Sequence, residues 1–325
     1  MVKVSKACRV QSAVARMRNN LLVQAVASRD VAAIGYIAAW QVVKFLPDRL
    51  IAVLPGIIGR IVSQNGRGME QLRRNLTRVV GPEAVTTSLV IASTASYVRY
   101  WLEAFRLREL VHTPGLLKRL DASVTGFAHV QESIAADRPV LLVTTHSGNW
   151  DLAGWWLTTK LGSFTTVAER LRPEVLFSAF VNYRETLGFE VIASRGDGPV
   201  VPQLISRLNN RQPVVLLGER DLSRHGVEVP LCGELAKLPY GPEKLARATD
   251  CAVHVADLWF TDNGWRFAVS EDLNPVSEQG RSAVQAMPVG GLIARLADRF
   301  TQHITAHPAD WHMLQPVFVA DLEQR

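Results

Sequence analysis

His146 and Asp151 have the residue types and the spacing of a general base with a carboxylate partner. A histidine that takes up a proton near neutral pH is a natural base for activating a hydroxyl group. A carboxylate bound to its other ring nitrogen fixes the tautomer and stabilises the imidazolium ion that forms. A turn through Ser147 and Gly148 lets His146 fold back over the first turn of a following helix, which brings Asp151 within reach. The pattern H-x-x-x-x-D therefore predicts acid–base chemistry at this point.

The stretch around this pair predicts a strand, a turn and a helix. An apolar run from Pro139 to Thr145 ends at His146, and a helical pattern begins at Trp150. In open α/β sheets, ligands bind just beyond the carboxyl ends of the strands. Backbone N–H groups around Asn149 and Trp150, at the start of the helix, are candidate donors to a developing oxyanion. We therefore expect Asn149 to belong to the substrate site.

A second carboxylate follows another strand of the buried type. The run Pro213–Gly218 leads directly into Glu219, Arg220 and Asp221. Because the carboxyl ends of parallel strands share one sheet edge, we expect Glu219 to lie near His146. There it either orients the base or binds a hydroxyl of the acceptor. The residues leave open which carboxylate, Asp151 or Glu219, holds the histidine.

Two other kinds of chemistry find little support. Ser147 has no G-x-S-x-G context, so a serine nucleophile is disfavoured. Metal binding is disfavoured too, because no H-E-x-x-H or similar ligand spacing occurs. The histidines considered for it are His112, His225, His254 and His303, and the scattered cysteines are Cys8, Cys232 and Cys251. We interpret the cysteines as free thiols of a protein in a reducing compartment.

The rest of the chain predicts the elements that position these residues. From Val31 to about Leu107 the apolar spacing predicts successive helices, and after about Asp121 strands and helices alternate. Apolar runs without polar alternation are typical of strands covered on both faces. We predict an α/β fold with a central, mainly parallel sheet flanked by helices, and a helical N-terminal portion packed on it. Residues 30–325 are expected to form a single domain.

The charge distribution separates an N-terminal extension, residues 1–29, from this domain. The extension holds six basic residues and no acid, whereas the remaining 30 basic residues balance the 30 acidic ones. Nucleic-acid binding is disfavoured, since the folded body carries no excess of positive charge. The extension is open to three interpretations: a flexible tail, a basic amphipathic helix on anionic lipid, or, least favoured, a secretory signal.

A set of motifs distributed over the chain resembles a known family. The pair T-H-x-x-N-W-D and G-E-R-D, at His146 and Glu219, is similar to bacterial acyltransferases of the lipid A type, in the lysophospholipid/glycerolipid acyltransferase superfamily. Further segments resemble the members that acylate phosphatidylinositol mannosides. They are residues 70–81, 100–107, 146–153, 165–174, 183–190 and 308–316. The resemblance covers the chain from about residue 31 to its end.

The resemblance implies an activity and a location. It implies transfer of a long acyl chain, typically palmitoyl, from acyl-CoA as co-substrate to a mannose hydroxyl of a phosphatidylinositol mannoside, with no metal or other cofactor. The implied site is the cytoplasmic face of the plasma membrane, with the protein bound peripherally to an anionic surface. His146 and Asp151 match the family's H-x4-D motif, and Glu219 matches its later acid.

Both proposed substrates are anionic and need cations. Arg170, Arg184 and Arg220 are candidate ligands for phosphate or sugar, with ordinary ion pairs as the alternative. Two other functions stay open: acylation of a different lipid acceptor, such as a lipid A-like molecule or a lysophospholipid, and a catalytically silent protein that binds glycolipid at the membrane surface.

Overall fold

The computed structural model describes residues 31–170, 172–196, 198–223, 225–278 and 280–323. The helices are α1 Val31–Val43, α2 Asp48–Val62, α3 Glu70–Val80, α4 Thr87–Phe105, α5 Leu107–Leu110, α6 Leu116–Asp121, α7 Phe127–Ala135, α8 Trp150–Leu161, α9 Glu174–Thr186, α10 Val200–Asn209, α11 Gly241–Thr249, α12 Gly291–Ala306 and α13 Val319–Leu322. The strands are β1 Val124–Thr125, β2 Val140–Thr144, β3 Phe164–Ala168, β4 Phe189–Ala193, β5 Val214–Leu217, β6 Val227–Leu231, β7 Glu234–Leu238, β8 Ala252–Thr261 and β9 Gly264–Val269.

Seven strands form one central sheet in the order β1-β9-β8-β2-β5-β3-β4. Neighbouring strands run parallel except β8 and β9, which pair antiparallel. Strands β6 and β7 form a separate antiparallel hairpin. The predicted α/β fold with a mainly parallel sheet is confirmed.

Strand β2 lies at the centre of the sheet, and all five of its residues are buried. Val143 packs in a core with Phe300 of α12, whereas Leu142 packs in a second core with Trp156 of α8. Helices thus cover the sheet on both faces. The strand has no solvent-facing side, and its apolar run carries no polar alternation for that reason.

The register of β2 and β5 brings two site residues to one edge. Thr144 lies opposite Leu217, and the carbonyl of Thr144 accepts a hydrogen bond from the backbone N–H of Gly218 at 2.9 Å. His146 and Glu219 each come two residues after this matched pair. They therefore leave the sheet side by side.

The N-terminal helices form a layer that reaches the same edge. Helix α2 crosses α4 closely, because a Cβ atom on Gly59 would lie only 2.8 Å from Ala95. The hydroxyl of Thr86 caps α4 by accepting a hydrogen bond from the backbone N–H of Leu89 at 3.1 Å. None of the helices within the described residues is both long and apolar enough to span a membrane. The extension, residues 1–29, lies outside the described residues.

Candidate active site

A strand–turn–helix unit carries His146, as the sequence predicts. Strand β2 ends at Thr144, and α8 begins at Trp150 with Asn149 as its N-cap. The turn needs Gly148, whose φ is +56° and whose Cβ, if present, would lie 2.8 Å from the backbone of Leu258. The short turn holds the His146 side chain at the end of the sheet.

Glu219 is the carboxylate that holds His146. Its Oε1 atom lies 2.8 Å from Nδ1 of the imidazole and also accepts a hydrogen bond from the backbone N–H of His146 at 2.5 Å. The Glu219 side chain is 0% exposed, whereas that of His146 is 28% exposed. With an ionised Glu219 as partner, Nδ1 carries the hydrogen, and Nε2 is left to accept a proton.

Electrostatics favour the ionised form of Glu219. Burial by itself would raise the pKa of this carboxyl group. The charge of His146 and the hydrogen bonds from its ring and backbone act in the opposite direction, and their net effect is a pKa below the ordinary value. A buried carboxylate thus faces the histidine.

Asp151 is engaged elsewhere. It accepts hydrogen bonds from Nε of Arg184 at 2.8 Å, from Nη2 of Arg184 at 3.2 Å, and from the hydroxyl of Tyr100 at 2.9 Å. Both residues of the ion pair are largely buried. Burial is the largest single influence and would lower the pKa of Arg184. The charge of Asp151, the hydrogen bonds to it and the neighbouring Tyr100 and Tyr183 together outweigh burial, and the pKa is raised. The first turn of α8 is therefore tied to α9 and α4, and the structure places the His146 hydrogen bond on Glu219.

The other predicted substrate residues each have hydrogen-bond or ion-pair partners of their own. Asn149 is 1% exposed: its Oδ1 accepts from the backbone N–H of Leu152 at 3.0 Å, and its Nδ2 donates to Glu103 at 2.7 Å. Its side chain thus starts α8 and anchors it on α4. Arg170 pairs with Glu174, at 2.8 Å, on the exposed start of α9. Arg220 lies 3.5 Å from Glu169.

A cavity of about 420 Å³ opens at His146 and extends between the sheet and α8. Its walls are mainly apolar and aromatic. One wall comes from the sheet face formed by β2, β3, β5, β8 and β9, and the opposite wall comes from α8, with contributions from α4, α7 and α9. The apolar and aromatic lining residues include Tyr97, Trp101, Phe127, Leu142, Trp150, Trp156, Phe164, Phe180, Val215 and Leu258. The charged lining residues include Glu169, Arg184 and Arg220.

Comparison of the sequence with known proteins identifies the family of the chain. The family model of the bacterial lipid A biosynthesis acyltransferases matches residues 25–319. The chain belongs to this family. A protein of Mycobacterium tuberculosis named phosphatidylinositol mannoside acyltransferase is 45% identical over 292 residues, which are 89% of each chain. A protein of Mycolicibacterium smegmatis with the same name is 45% identical over 296 residues, or 90% of this chain and 93% of the relative.

In this family member, residues 310–312 of the C-terminal segment also contact the turn at His146, although the sequence had not indicated a role for them there. The carbonyl of His146 accepts a hydrogen bond from the backbone N–H of His312 at 2.7 Å, and Ser147 forms a β-bridge with Trp311. The N–H of Gly148 donates to the carbonyl of Asp310 at 3.1 Å. The segment of residues 310–312 thus holds the turn that follows His146. Residues 308–316 carried a family resemblance, but nothing in their local pattern related them to His146.

The His312 side chain is a further buried group near His146. Its Nε2 atom lies 2.9 Å from Oγ of Ser96, which in turn donates to Asp310 at 2.5 Å. Burial, with a smaller contribution from the charge of His146, lowers the pKa of His312 to about 3. The ring is therefore neutral at physiological pH, and it lines the cavity next to Trp150.

The ring of Trp150 packs against the ring of His146 in this site. Its ring meets that of His146 edge to face, with centroids 5.5 Å apart, and stacks on Tyr100 at 3.7 Å. An aromatic wall of this kind restricts the imidazole to few orientations. Among the described residues, no cluster of three or more His, Cys, Asp or Glu side chains is arranged to hold a metal ion.

Proposed function

We propose that this protein transfers a long-chain acyl group, palmitoyl in the first instance, from acyl-CoA to a mannose hydroxyl of a phosphatidylinositol mannoside. The observation that carries the proposal is the His146–Glu219 pair at the mouth of a long apolar cavity. The family and the names of the two mycobacterial relatives support the acceptor. Acyl-CoA is a co-substrate, and the proposed reaction uses no metal or other cofactor.

In the proposed mechanism, His146 is the general base. Its Nε2 atom takes the proton of the mannose hydroxyl while the oxygen attacks the thioester carbonyl. Glu219 keeps the hydrogen on Nδ1 and stabilises the imidazolium ion. When the tetrahedral intermediate collapses, the carbon–sulfur bond breaks, and the imidazolium returns the proton to the CoA thiolate. Transfer is direct, and no acyl-enzyme forms.

The start of α8 offers donors for the oxyanion. The first N–H groups of a helix have no partner within the helix, and they carry the positive end of its dipole. Asn149 caps the N–H of Leu152, which leaves the backbone N–H groups of Trp150 and Asp151 for a ligand. We assign the oxyanion to this first turn, next to His146. The Asn149 side chain contributes by capping the helix start and not by contact with the substrate.

The cavity under α8 suits an acyl chain. A volume of about 420 Å³ lies in the ordinary range of small-molecule pockets, roughly 300–1,000 Å³. Each methylene group moved from water into such surroundings contributes about 0.8 kcal/mol. Long chains are therefore preferred over short ones in proportion to the length that the cavity accepts.

The three arginines predicted from the sequence take different roles in the proposal. Arg184 is held by Asp151 and positions the first turn of α8. Arg220 lines the cavity beside its partner Glu169, and Arg170 lies in the loop between β3 and α9, paired with Glu174. We assign Arg220 and Arg170 to the phosphate groups of the anionic substrates, since guanidinium groups bind phosphate well.

An apolar stripe on α2 supports peripheral membrane attachment. Leu50, Val53, Ile57 and Ile61 recur at helical spacing and are all exposed, Ile61 by 70%. Arg49 and Arg60 are exposed on the same helix. A helix with an apolar face and basic residues is typical of a segment that lies in an anionic bilayer interface. We propose that this face docks on the cytoplasmic leaflet of the plasma membrane.

One experiment tests the proposal against its alternatives. The purified full chain is incubated with radiolabelled palmitoyl-CoA and, in separate reactions, with a phosphatidylinositol mannoside, a lysophospholipid or a lipid A-type acceptor. We expect labelled product with the mannoside and none with the His146→Gln variant. Preference for another acceptor would reassign the substrate, and no product with any acceptor would favour a silent glycolipid-binding protein.

A further inference from the structure

A cluster of buried titratable side chains lies behind Glu219, and the proposed reaction does not use it. Asp257 of β8 and His303 of α12 are 8% and 5% exposed. The neighbours of Asp257 in β8, Ala256 and Leu258, line the cavity. Because side chains alternate along a strand, Asp257 points to the opposite face, where α12 packs. The cluster therefore occupies the far side of the sheet from the substrate.

The members of the cluster are electrostatically connected. The Nδ1 atom of His303 lies 4.0 Å from Oδ1 of Asp257, and Nη2 of Arg299 lies 3.3 Å from Oδ2 of the same carboxylate. Burial raises the pKa of Asp257 to about 6, although Arg299 acts in the opposite direction. His307, directly after the last residue of α12, lies near His303 with ring centroids 5.5 Å apart and the rings tilted by 50°. Together with Glu219, these are the charged and titratable groups around His303.

Helix α12 also connects the cluster to Glu219. A Cβ atom on Gly218 would lie 3.3 Å from the ring of Phe300, so α12 passes directly under the end of β5. His303 follows Phe300 by about one helical turn. Burial lowers the pKa of His303 to about 4, and the charge of Glu219 acts in the opposite direction. The geometric link between His303 and Glu219 is this passage of α12 under the end of β5.

Each of three buried groups in this region has one polar atom without a hydrogen-bond partner among the described residues. They are Oε2 of Glu219, Nε2 of His303 and Oδ1 of Asp257. Buried polar atoms in folded proteins are nearly always satisfied, and ordered water often satisfies them. His303 bonds to the backbone of Leu258, and Nδ1 is the ring nitrogen left for that contact. The neutral ring then presents a lone pair on Nε2.

We propose that a buried water joins Oε2 of Glu219 to Nε2 of His303, and that His303 is a positioning residue for the His146–Glu219 pair. The water donates one hydrogen to each atom, so both unpaired atoms are satisfied at once. Asp257 and Arg299 hold α12 and β8 together around this bridge. No proton is transferred and no covalent bond changes in this step. The catalytic meaning of the bridge rests on the proposed function, in which His146 is the base.

The bridge has a measurable consequence at His146. Without it, Oε2 has no hydrogen-bond donor among the described residues, and the carboxylate charge acts more strongly on the imidazolium ion that faces Oε1. In a variant without the bridge, His146 therefore stays protonated up to a higher pH than in the parent protein. A hydrogen bond to a charged group is strong enough to move the midpoint of such a titration by about one unit. The acid limb of the pH–rate profile moves in the same direction.

The test compares His303→Leu with His303→Gln in the full chain. Leucine removes the acceptor atom, whereas the amide of glutamine places a polar atom near the position of Nε2. The ring nitrogens of ¹⁵N-histidine-labelled protein are titrated by NMR, and the His146 signals are identified by their loss in His146→Gln. We expect the midpoint to rise by about one unit in the leucine variant and to stay with the parent in the glutamine variant. His307→Gln, at the C-cap of the same helix, is the matched control and should not move it.

An unmoved His146 midpoint in folded His303→Leu overturns the inference. If the leucine variant does not fold, His303→Asn replaces it, because the shorter amide reaches the Nδ1 position only. Asparagine and glutamine variants with the same midpoint then overturn the inference as well. The NMR titration does not depend on acyl transfer, so a shifted midpoint in a protein without activity rejects the proposed function and leaves the inference standing.

Discussion

His146 and Glu219 meet through two hydrogen bonds that share one oxygen. Oε1 of Glu219 accepts the backbone N–H of His146 at 2.5 Å and lies 2.8 Å from Nδ1 of the ring. The carboxylate thus fixes the end of β2 and the orientation of the imidazole together. Rotation of the ring away from the cavity would break the second bond while the first still held the backbone. The imidazole of His146 is therefore held in one orientation by Glu219.

Replacing Glu219 by glutamine tests this pairing. Glu219→Gln keeps the size of the side chain but removes the charge that stabilises the imidazolium ion. We expect kcat for palmitoyl transfer to fall by about a thousandfold with little change in KM, because the interaction matters most when His146 carries the proton. Steady-state kinetics with palmitoyl-CoA and a phosphatidylinositol mannoside measure both constants.

The matched control for this change is Glu228→Gln on the exposed face of β6. It removes a carboxylate at the surface and should leave both constants unchanged. Circular dichroism shows whether the Glu219 variant is folded. A folded Glu219→Gln protein with the kcat of the parent would contradict the assignment of Glu219 as the partner of His146.

The buried ion pair between Asp151 and Arg184 is predicted to stabilise the folded protein. Asp151→Asn leaves a buried guanidinium group without its charged partner, and breaking such a pair costs about 3–5 kcal/mol of the free energy of unfolding. In the double variant Asp151→Leu with Arg184→Met, no charge is left unpaired, and much of the loss should be recovered. Urea unfolding of the parent and both variants measures these differences.

Tyr100→Phe provides the control for the Asp151 experiment. It removes the hydrogen bond that the phenol hydroxyl donates to Oδ2 of Asp151, and a hydrogen bond to a charged group is worth about 1.5–3 kcal/mol. If Asp151→Asn proved no less stable than Tyr100→Phe, the buried ion pair would not be what fixes the first turn of α8.

Much of the site could be predicted from local sequence patterns. The apolar runs before His146 and Glu219 predict two buried strands, and the parallel arrangement then places both residues at one edge. This reasoning is confirmed by the register in which Thr144 faces Leu217. Gly148 and Asn149 mark the turn and the helix start. Such features depend on neighbours in sequence, which is why the pattern reveals them.

The choice between the two carboxylates could not be predicted, because it depends on α9. The Asp151 side chain is taken by Arg184, 33 residues later in the chain. Likewise, nothing near His312 indicates that its backbone binds that of His146. The hairpin of β6 and β7 was also missed: Pro230 interrupts a short strand whose position depends on packing against α12 rather than on its own propensity.

Acid should destabilise the folded protein through His312. The pKa of this residue is lowered by burial to about 3 in the folded state, against an ordinary value near 6.5 once unfolded. Below about pH 6.5 the His312 side chain binds a proton in the unfolded chain but not in the folded one. Its contribution to the free energy of unfolding is therefore fully present above that pH and is lost as the pH decreases toward 3. Between pH 7.5 and 5.0 this one group should lower the free energy of unfolding by about 2 kcal/mol.

The measurement for His312 is a series of urea unfolding curves at several pH values, with His312→Gln for comparison. The glutamine side chain does not titrate, so the variant should lose that part of the pH dependence even if its stability at pH 7.5 is lower. His129, an exposed histidine on α7, provides the control variant His129→Gln. Parallel pH profiles for His312→Gln and the parent would contradict the prediction.

Membrane binding is predicted to depend on the exposed stripe of α2. Ile57→Ser and Ile61→Ser together remove two apolar side chains from the face proposed to enter the bilayer interface, where each contributes on the order of 1 kcal/mol. Partition of the full chain into anionic vesicles, followed by sedimentation, should fall at least about tenfold. Because both side chains are exposed, the fold should be unaffected. Val289→Ser with Leu235→Ser, equally exposed but outside α2, should bind like the parent, and equal loss in both pairs would show that α2 is not the docking face.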